Sequence, residues 1–158
     1  MREIFKNLQC RVYLAWDHEN RESVSITTPE DVYELVKDEL ANADRERFLS
    51  ILLSTRNMVI GIETVGIGTI NTCMVTAREL FKSALLANAH SVILCHNHPS
   101  GDLTPSDDDI ALTRRITEVG DIMGIAVLDH LIVGRDGFKS LKQMNLINRS
   151  ILSMTKKR

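Results

Sequence analysis

The 158-residue chain carries 19 lysines and arginines against 21 aspartates and glutamates, a formal net charge of −2 with a pI near 6.2. With 44% hydrophobic and 25% charged residues it has an ordinary globular composition, and its length suits one domain with a sizeable core. That balance excludes a global field drawing the chain to nucleic acid, and no apolar run reaches the ~18 residues of a membrane helix. Met1 to Lys6 is charged where a signal peptide would be apolar, so the cytoplasm is the expected location. Cys10, Cys73 and Cys95 are odd in number and lack CxxC spacing, which points to small buried residues rather than a disulfide framework or thiolate site.

The elements read in chain order are those of a mixed α/β domain. Cys10 to Trp16 alternates as an edge strand does, and Asp17 to Ser25 is polar and loop-like. Thr28-Pro29-Glu30 caps a helix carrying Val32, Leu35, Val36, Glu39 and Leu40 at helical spacing. Arg47 to Thr55 and Met58 to Thr64 are apolar runs around Arg56-Asn57, a hairpin signal. Gly66 and Gly68 suggest a bulge or bend, with a possible strand from Thr69 to Val75. A helix from about Ala77 to Asn88, a strand Ser91 to Cys95, a helix Ser106 to Met123 and a strand Ala126 to Val133 follow. Ser140 to Leu146 reads as a short closing helix or turn. Strands mixed with helices, hairpins included, predict helices packed on a mixed sheet.

The chemistry concentrates in His96-Asn97-His98-Pro99, Ser106 and Asp109. His96 and His98 are two apart after a β-branched apolar run, and residues i and i+2 of an extended chain point the same way. Cys95 therefore faces the other side. Pro99 ends the strand because it cannot donate to a ladder, and Ser100-Gly101-Asp102 turns the chain. Thr104-Pro105-Ser106 signals a helix start, where Ser106 and Asp109 share a face. Two imidazoles and one carboxylate leave the fourth position of a tetrahedral zinc open, as in catalytic sites.

His-x-His-Pro, six residues, Ser, two residues, Asp is the pattern of the JAB/MPN+ (JAMM) metalloprotease superfamily, filled here by His96, His98, Pro99, Ser106 and Asp109. His96 to Ser106, Leu128 to Gly134, Val65 to Asn71 and Ala77-Arg78-Glu79 resemble its bacterial RadC-type branch, and the likeness covers roughly 29–141. The resemblance implies a single JAB/MPN domain with a curved mixed β-sheet flanked by helices, of cytidine-deaminase-like architecture. It also implies a zinc-dependent hydrolase in which water attacks the carbonyl of a peptide or isopeptide bond in a protein or peptide substrate. His96, His98 and Asp109 would hold one Zn2+ per chain, and Ser106 would donate to the oxyanion. RadC proteins often carry an N-terminal helix-hairpin-helix segment associated with DNA; the first 28 residues are too few to supply one.

Several residues have two readings. Asp109 could merely favour a helix N-terminus, but Asp107 and Asp108 would serve that equally well. Ser106 could be a plain cap. In the superfamily a glutamate upstream of the histidines is the general base: Glu46, just before the run Phe48 to Leu53, fits that placement, and Glu63 on the returning strand is the alternative. Asp129 and His130 are adjacent in a strand, so at most one faces the metal, in a role that orients a ligand or is only structural. Arg78 and Glu79 read as a solvated turn, and His18 and His90 as surface residues.

The rival from another class is a DNA-repair-associated accessory or DNA-binding protein with a structural or vestigial metal site. The intact motif and acidic charge argue against it, and salt-sensitive DNA binding would favour it. Amidohydrolase-type sites need more histidines than His130 alone after His98, and metallo-β-lactamase-type sites want an aspartate where Pro99 and Ser100 stand. Imidazole and carboxylate ligands also suit divalent ions other than zinc.

Overall fold

A computed structural model describes residues 24–68 and 75–147. In order these form α1 (Pro29–Leu40), β1 (Arg47–Leu53), β2 (Val59–Ile67), α2 (Ala77–Leu86), β3 (Ser91–Asn97), α3 (Asp107–Met123), β4 (Ala126–Gly134) and β5 (Gly137–Ser140). The expected strand Cys10 to Trp16, the segment 69–74, Cys10, Cys73 and His18 lie outside the described residues.

The five strands make one mixed sheet, ordered β2-β1-β3-β4-β5. β1 runs antiparallel to both β2 and β3, β3 parallel to β4, and β4 antiparallel to β5. The parallel pair needs a crossover, which α3 supplies. Alternation along the strands splits the core in two. Val32, Val36 and Leu40 of α1 pack with Leu49, Ile51, Leu53, Ile93, Cys95, Leu131 and Val133 on one face. On the other, Leu80, Phe81 and Ala84 of α2 and Ile116 of α3 pack with Phe48, Leu52, Val92 and Leu94. β3 is buried along its whole length, as a central strand covered on both faces must be.

Local chemistry accounts for most boundaries. Thr28 caps α1 in a full capping box with Asp31, whose carboxyl is held down to about 2 by hydrogen bonds from Thr27 and Thr28. The β1–β2 turn places Asn57 at φ 56°, a conformation that asparagine tolerates. The register shift between Phe48 and Leu49, opposite Gly66 and Thr64, is the bulge the glycines foreshadowed. Several boundaries differ from the sequence reading, among them β2, which runs to Ile67 rather than Thr64. β3 runs two residues further, through His96 and Asn97. Pro105 precedes the α3 cap rather than opening the helix, because Ser106 is itself the N-cap. Residues 141–145 are turn, one of the two forms expected there, whereas Gly137–Ser140 is a strand that the sequence reading did not separate from its surroundings. The Arg135-Asp136 pair that reverses the chain before Gly137 (φ 148°) was the available signal. No helix among the described residues is long and apolar enough to cross a membrane.

α3 lies close to its surroundings at Gly120. A β-carbon there would meet the Ile125 carbonyl oxygen at 2.5 Å and Phe81 Cζ at 3.2 Å. The first neighbour is backbone that also closes the helix, since Ile125 N–H donates to Gly120 O (2.9 Å) and Gly124 adopts φ 74°. Gly120→Ala is therefore expected to destabilise the fold by about 1–3 kcal/mol despite alanine's better helix propensity, as for other overpacked cores. A denaturant midpoint equal to that of the wild type would contradict it.

Candidate metal centre

His96 and His98 reach one point because β3 is extended, and Asp109 meets them from the first turn of α3. His96 Nε2 lies 2.9 Å from His98 Nε2 and 3.1 Å from Asp109 Oδ1; His98 Nε2 lies 3.3 Å from Asp109 Oδ2. One ligand atom from each of the three residues falls within 4.8 Å of the others. Four ligands at bonds of 2.0–2.2 Å around a tetrahedral ion stand roughly 3.3 Å apart, so the spacing fits a metal ion. The donor set of two imidazole nitrogens and a carboxylate oxygen suits a divalent ion of the zinc type.

The residues of the cluster are held from behind. His98 Nδ1 lies 2.6 Å from the Asp102 carbonyl, which can only accept, so Nδ1 carries the proton and Nε2 keeps its lone pair for a metal. Asp109 is fixed by α3's own cap. Ser106 N–H and Oγ–H both donate to Asp109 Oδ2 (2.8 and 2.6 Å), and Asp109 N–H donates back to Ser106 Oγ (3.1 Å). The helix-start and metal-facing readings of Asp109 do not exclude each other, since one carboxylate closes the capping box and faces the histidines. The Ser106 proton lies on Asp109, not in an open position for an oxyanion.

The cluster carries strong electrostatics. Burial opposes ionisation of Asp109, yet the His96 and His98 rings beside it and the hydrogen bond from Ser106 outweigh it and hold the carboxyl well below the usual carboxylate range. The His98 pKa is raised, chiefly because Asp109 hydrogen-bonds its charged form. Burial pushes the fully buried His130 well below the ordinary histidine value, with the charge of His96 acting in the same direction. Cys95 sits on the α1 face, opposite the histidines, and burial raises its thiol.

Glu46 precedes β1 directly. β1 pairs with β3 so that Phe48 stands opposite His96, which leaves Glu46 two residues before Phe48 at the same end of the sheet as His98. The half-buried carboxyl feels the charges of His96, Asp109 and His98, and burial raises its pKa. Glu63 lies elsewhere on the sheet, paired with Ser50, and its carboxylate accepts a hydrogen bond from Ser83 on α2. The structure thus brings Glu46, and not Glu63, toward the histidines.

Asn97 and Thr113 contribute contacts that sequence reasoning missed. Between the two histidines, Asn97 accepts from Arg47 N–H (2.8 Å) and donates to the Arg45 carbonyl (3.1 Å), gripping the backbone on both sides of Glu46. A buried asparagine inside the motif was the only hint. Asp129 and His130 divide as adjacent strand residues must. Asp129 accepts from Ser140 Oγ, His130 N–H and Lys142 N–H, which ties β4 to the residues at and after the end of β5. His130 faces the cluster, with Nε2 2.8 Å from His96 Nδ1 and Nδ1 2.5 Å from Thr113 Oγ1. His90 is exposed, as expected of a surface residue.

Comparison with known proteins identifies the family. The RadC-like JAB domain matches residues 26–146. A UPF0758 protein of Desulforamulus reducens is 55% identical over 124 residues, covering 78% of this chain and 55% of that protein. A UPF0758 protein of Moorella thermoacetica is 49% identical over 122 residues, covering 77% and 53%, and one of Clostridium beijerinckii is 47% identical over 124 residues, covering 78% and 54%. The chain spans about half the length of the curated relatives it matches. A match across most of the chain, including every residue of the metal cluster, makes it a member of the RadC-like JAB domain family.

Proposed function

We propose that this domain is a zinc-dependent hydrolase that cleaves a peptide or isopeptide bond by direct attack of water. The observation that carries this reading is the convergence of His96, His98 and Asp109 on one point with the Glu46 carboxyl in their electrostatic reach. A bound divalent ion supplies a Lewis acid that polarises the carbonyl and makes water acidic enough to act as a nucleophile near neutral pH. The raised pKa of Glu46 suits proton transfer, because a base poised nearer the working pH both accepts and returns a proton readily. Glu46 takes the proton of the attacking water as its oxygen bonds the carbonyl carbon. It returns that proton to the amine nitrogen as the C–N bond breaks. Ser106 is assigned to the oxyanion, a role that requires its proton to leave Asp109 Oδ2.

A cavity of about 330 Å³ that His98 helps to line is assigned to the substrate chain. Its walls include Leu40 and Ala41 at the end of α1, Leu103, and Val133 and Arg135 at the end of β4. The test is hydrolysis by the zinc-loaded chain of peptide pools and of peptides joined through a lysine ε-amide. Cleavage that a chelator abolishes and added zinc restores is the expected result. A protein that holds zinc stoichiometrically yet cleaves neither pool, while cleaving neither faster than a His98→Ala variant, would overturn the hydrolase reading.

A further inference from the structure

We propose that Thr113 and His130 are positioning residues that fix the tautomer of His96, so that its Nε2 always presents a lone pair to the metal. The inference rests on the metal reading above, but it concerns groups that touch neither substrate nor metal.

The chain of contacts has one direction. Thr113 Oγ1 is 2.6 Å from the Asp109 carbonyl oxygen and 2.5 Å from His130 Nδ1. A hydroxyl and a carbonyl oxygen at that distance need a proton between them, and only the hydroxyl can supply it. With its proton spent on the carbonyl, Thr113 can only accept from His130, so His130 carries hydrogen on Nδ1. Its Nε2 is then bare in the neutral ring and accepts from His96 Nδ1, 2.8 Å away. His96 in turn holds its proton on Nδ1, which leaves Nε2, the atom beside His98 and Asp109, free to ligate.

Burial removes the alternatives. His96 and His130 are fully buried and Thr113 is 1% exposed, so water is not there to reverse any link. Phe48 holds both rings in place, stacked on His96 at 5.8 Å and tilted against His130 at 5.3 Å between centroids. The chain begins on the backbone of Asp109, itself a ligand residue. One hydrogen-bonded loop therefore joins two of the three ligands and ties α3 to β4 and β3. His98 reaches the same tautomer through the Asp102 carbonyl, so both imidazoles are set by a carbonyl that can only accept, one directly and one through two side chains.

The test uses the full 158-residue chain with Thr113→Val, which keeps the shape and removes the hydroxyl, and Thr113→Ser, which restores it. Zinc affinity is read by competition with a chromophoric chelator, and the imidazole tautomers by histidine-selective nitrogen NMR with and without zinc. Thr113→Val is expected to bind zinc about 10- to 100-fold more weakly while remaining folded by circular dichroism, and Thr113→Ser to recover most of that loss. In the wild type His130 should carry hydrogen on Nδ1 only, in both states. Hydrogen on His130 Nε2, or unchanged zinc affinity in Thr113→Val, overturns the proposal. A wild type that takes up no zinc overturns the metal reading and the ligand-setting role with it. That outcome is distinct from tight zinc binding with the opposite tautomer, which overturns the chain alone.

Discussion

His96→Ala and Asp109→Asn are each expected to reduce zinc binding from one ion per chain to none at micromolar metal, a loss of more than roughly 100-fold in affinity. Loss of a hydrogen-bonding partner behind a ligand typically costs 10–100-fold, and loss of the ligand itself must exceed that. The two variants remove different atoms of one cluster, His96 Nε2 and a charged Asp109 oxygen, so they should fail alike. Asparagine is chosen because an amide oxygen can still accept from Ser106 and cap α3, whereas alanine would confound lost metal with a lost helix cap. The measurement is metal content by plasma mass spectrometry beside a thermal melt. Full zinc occupancy in either variant would rule out these residues as ligands. The binding should also weaken as pH falls, because the pKa of His98 is raised and the proton competes with the metal for Nε2 from a higher pH than at an ordinary histidine.

Glu46→Gln is the second large effect. It should retain zinc and lower hydrolysis by about 10²–10⁴-fold, the range for removing a general base. The amide keeps the shape of the side chain and cannot accept the proton. The sign of the pH dependence follows from the raised pKa: the base must be ionised, so activity rises with pH through that value. The acid limb should lie above the ~4.3 of a free glutamate and vanish in Glu46→Gln. Glu63→Gln should leave the rate unchanged, since that carboxylate is engaged by Ser83. A reversal of the two variants would transfer the base to Glu63.

Much of the site was legible residue by residue because its chemistry is local. The two histidines share a face through the two-residue period of β3, and Ser106 with Asp109 form a capping box four residues long. Each of these two pairs therefore follows from neighbours in the chain. β5 was less legible because four residues offer too few positions for an alternating pattern to emerge. Glu46 and Glu63 were hard to separate because both lie near the hairpin of β1 and β2, and only the tertiary structure sets Glu46 within reach of the histidines and Glu63 against Ser83.

The amino-acid sequence by itself determined the α/β class, the helix caps and the two local pairs, His96 with His98 and Ser106 with Asp109, since periodicity and capping act over four residues or fewer. The tertiary structure alone decided how residues distant in the chain meet. It placed β1 and β4 on either side of β3, setting Phe48 and His130 around His96 while α3 crosses above with Thr113. Strand order is a choice among long-range pairings with similar local patterns, and burying both faces of the sheet selects among them; no single residue's propensity encodes that choice.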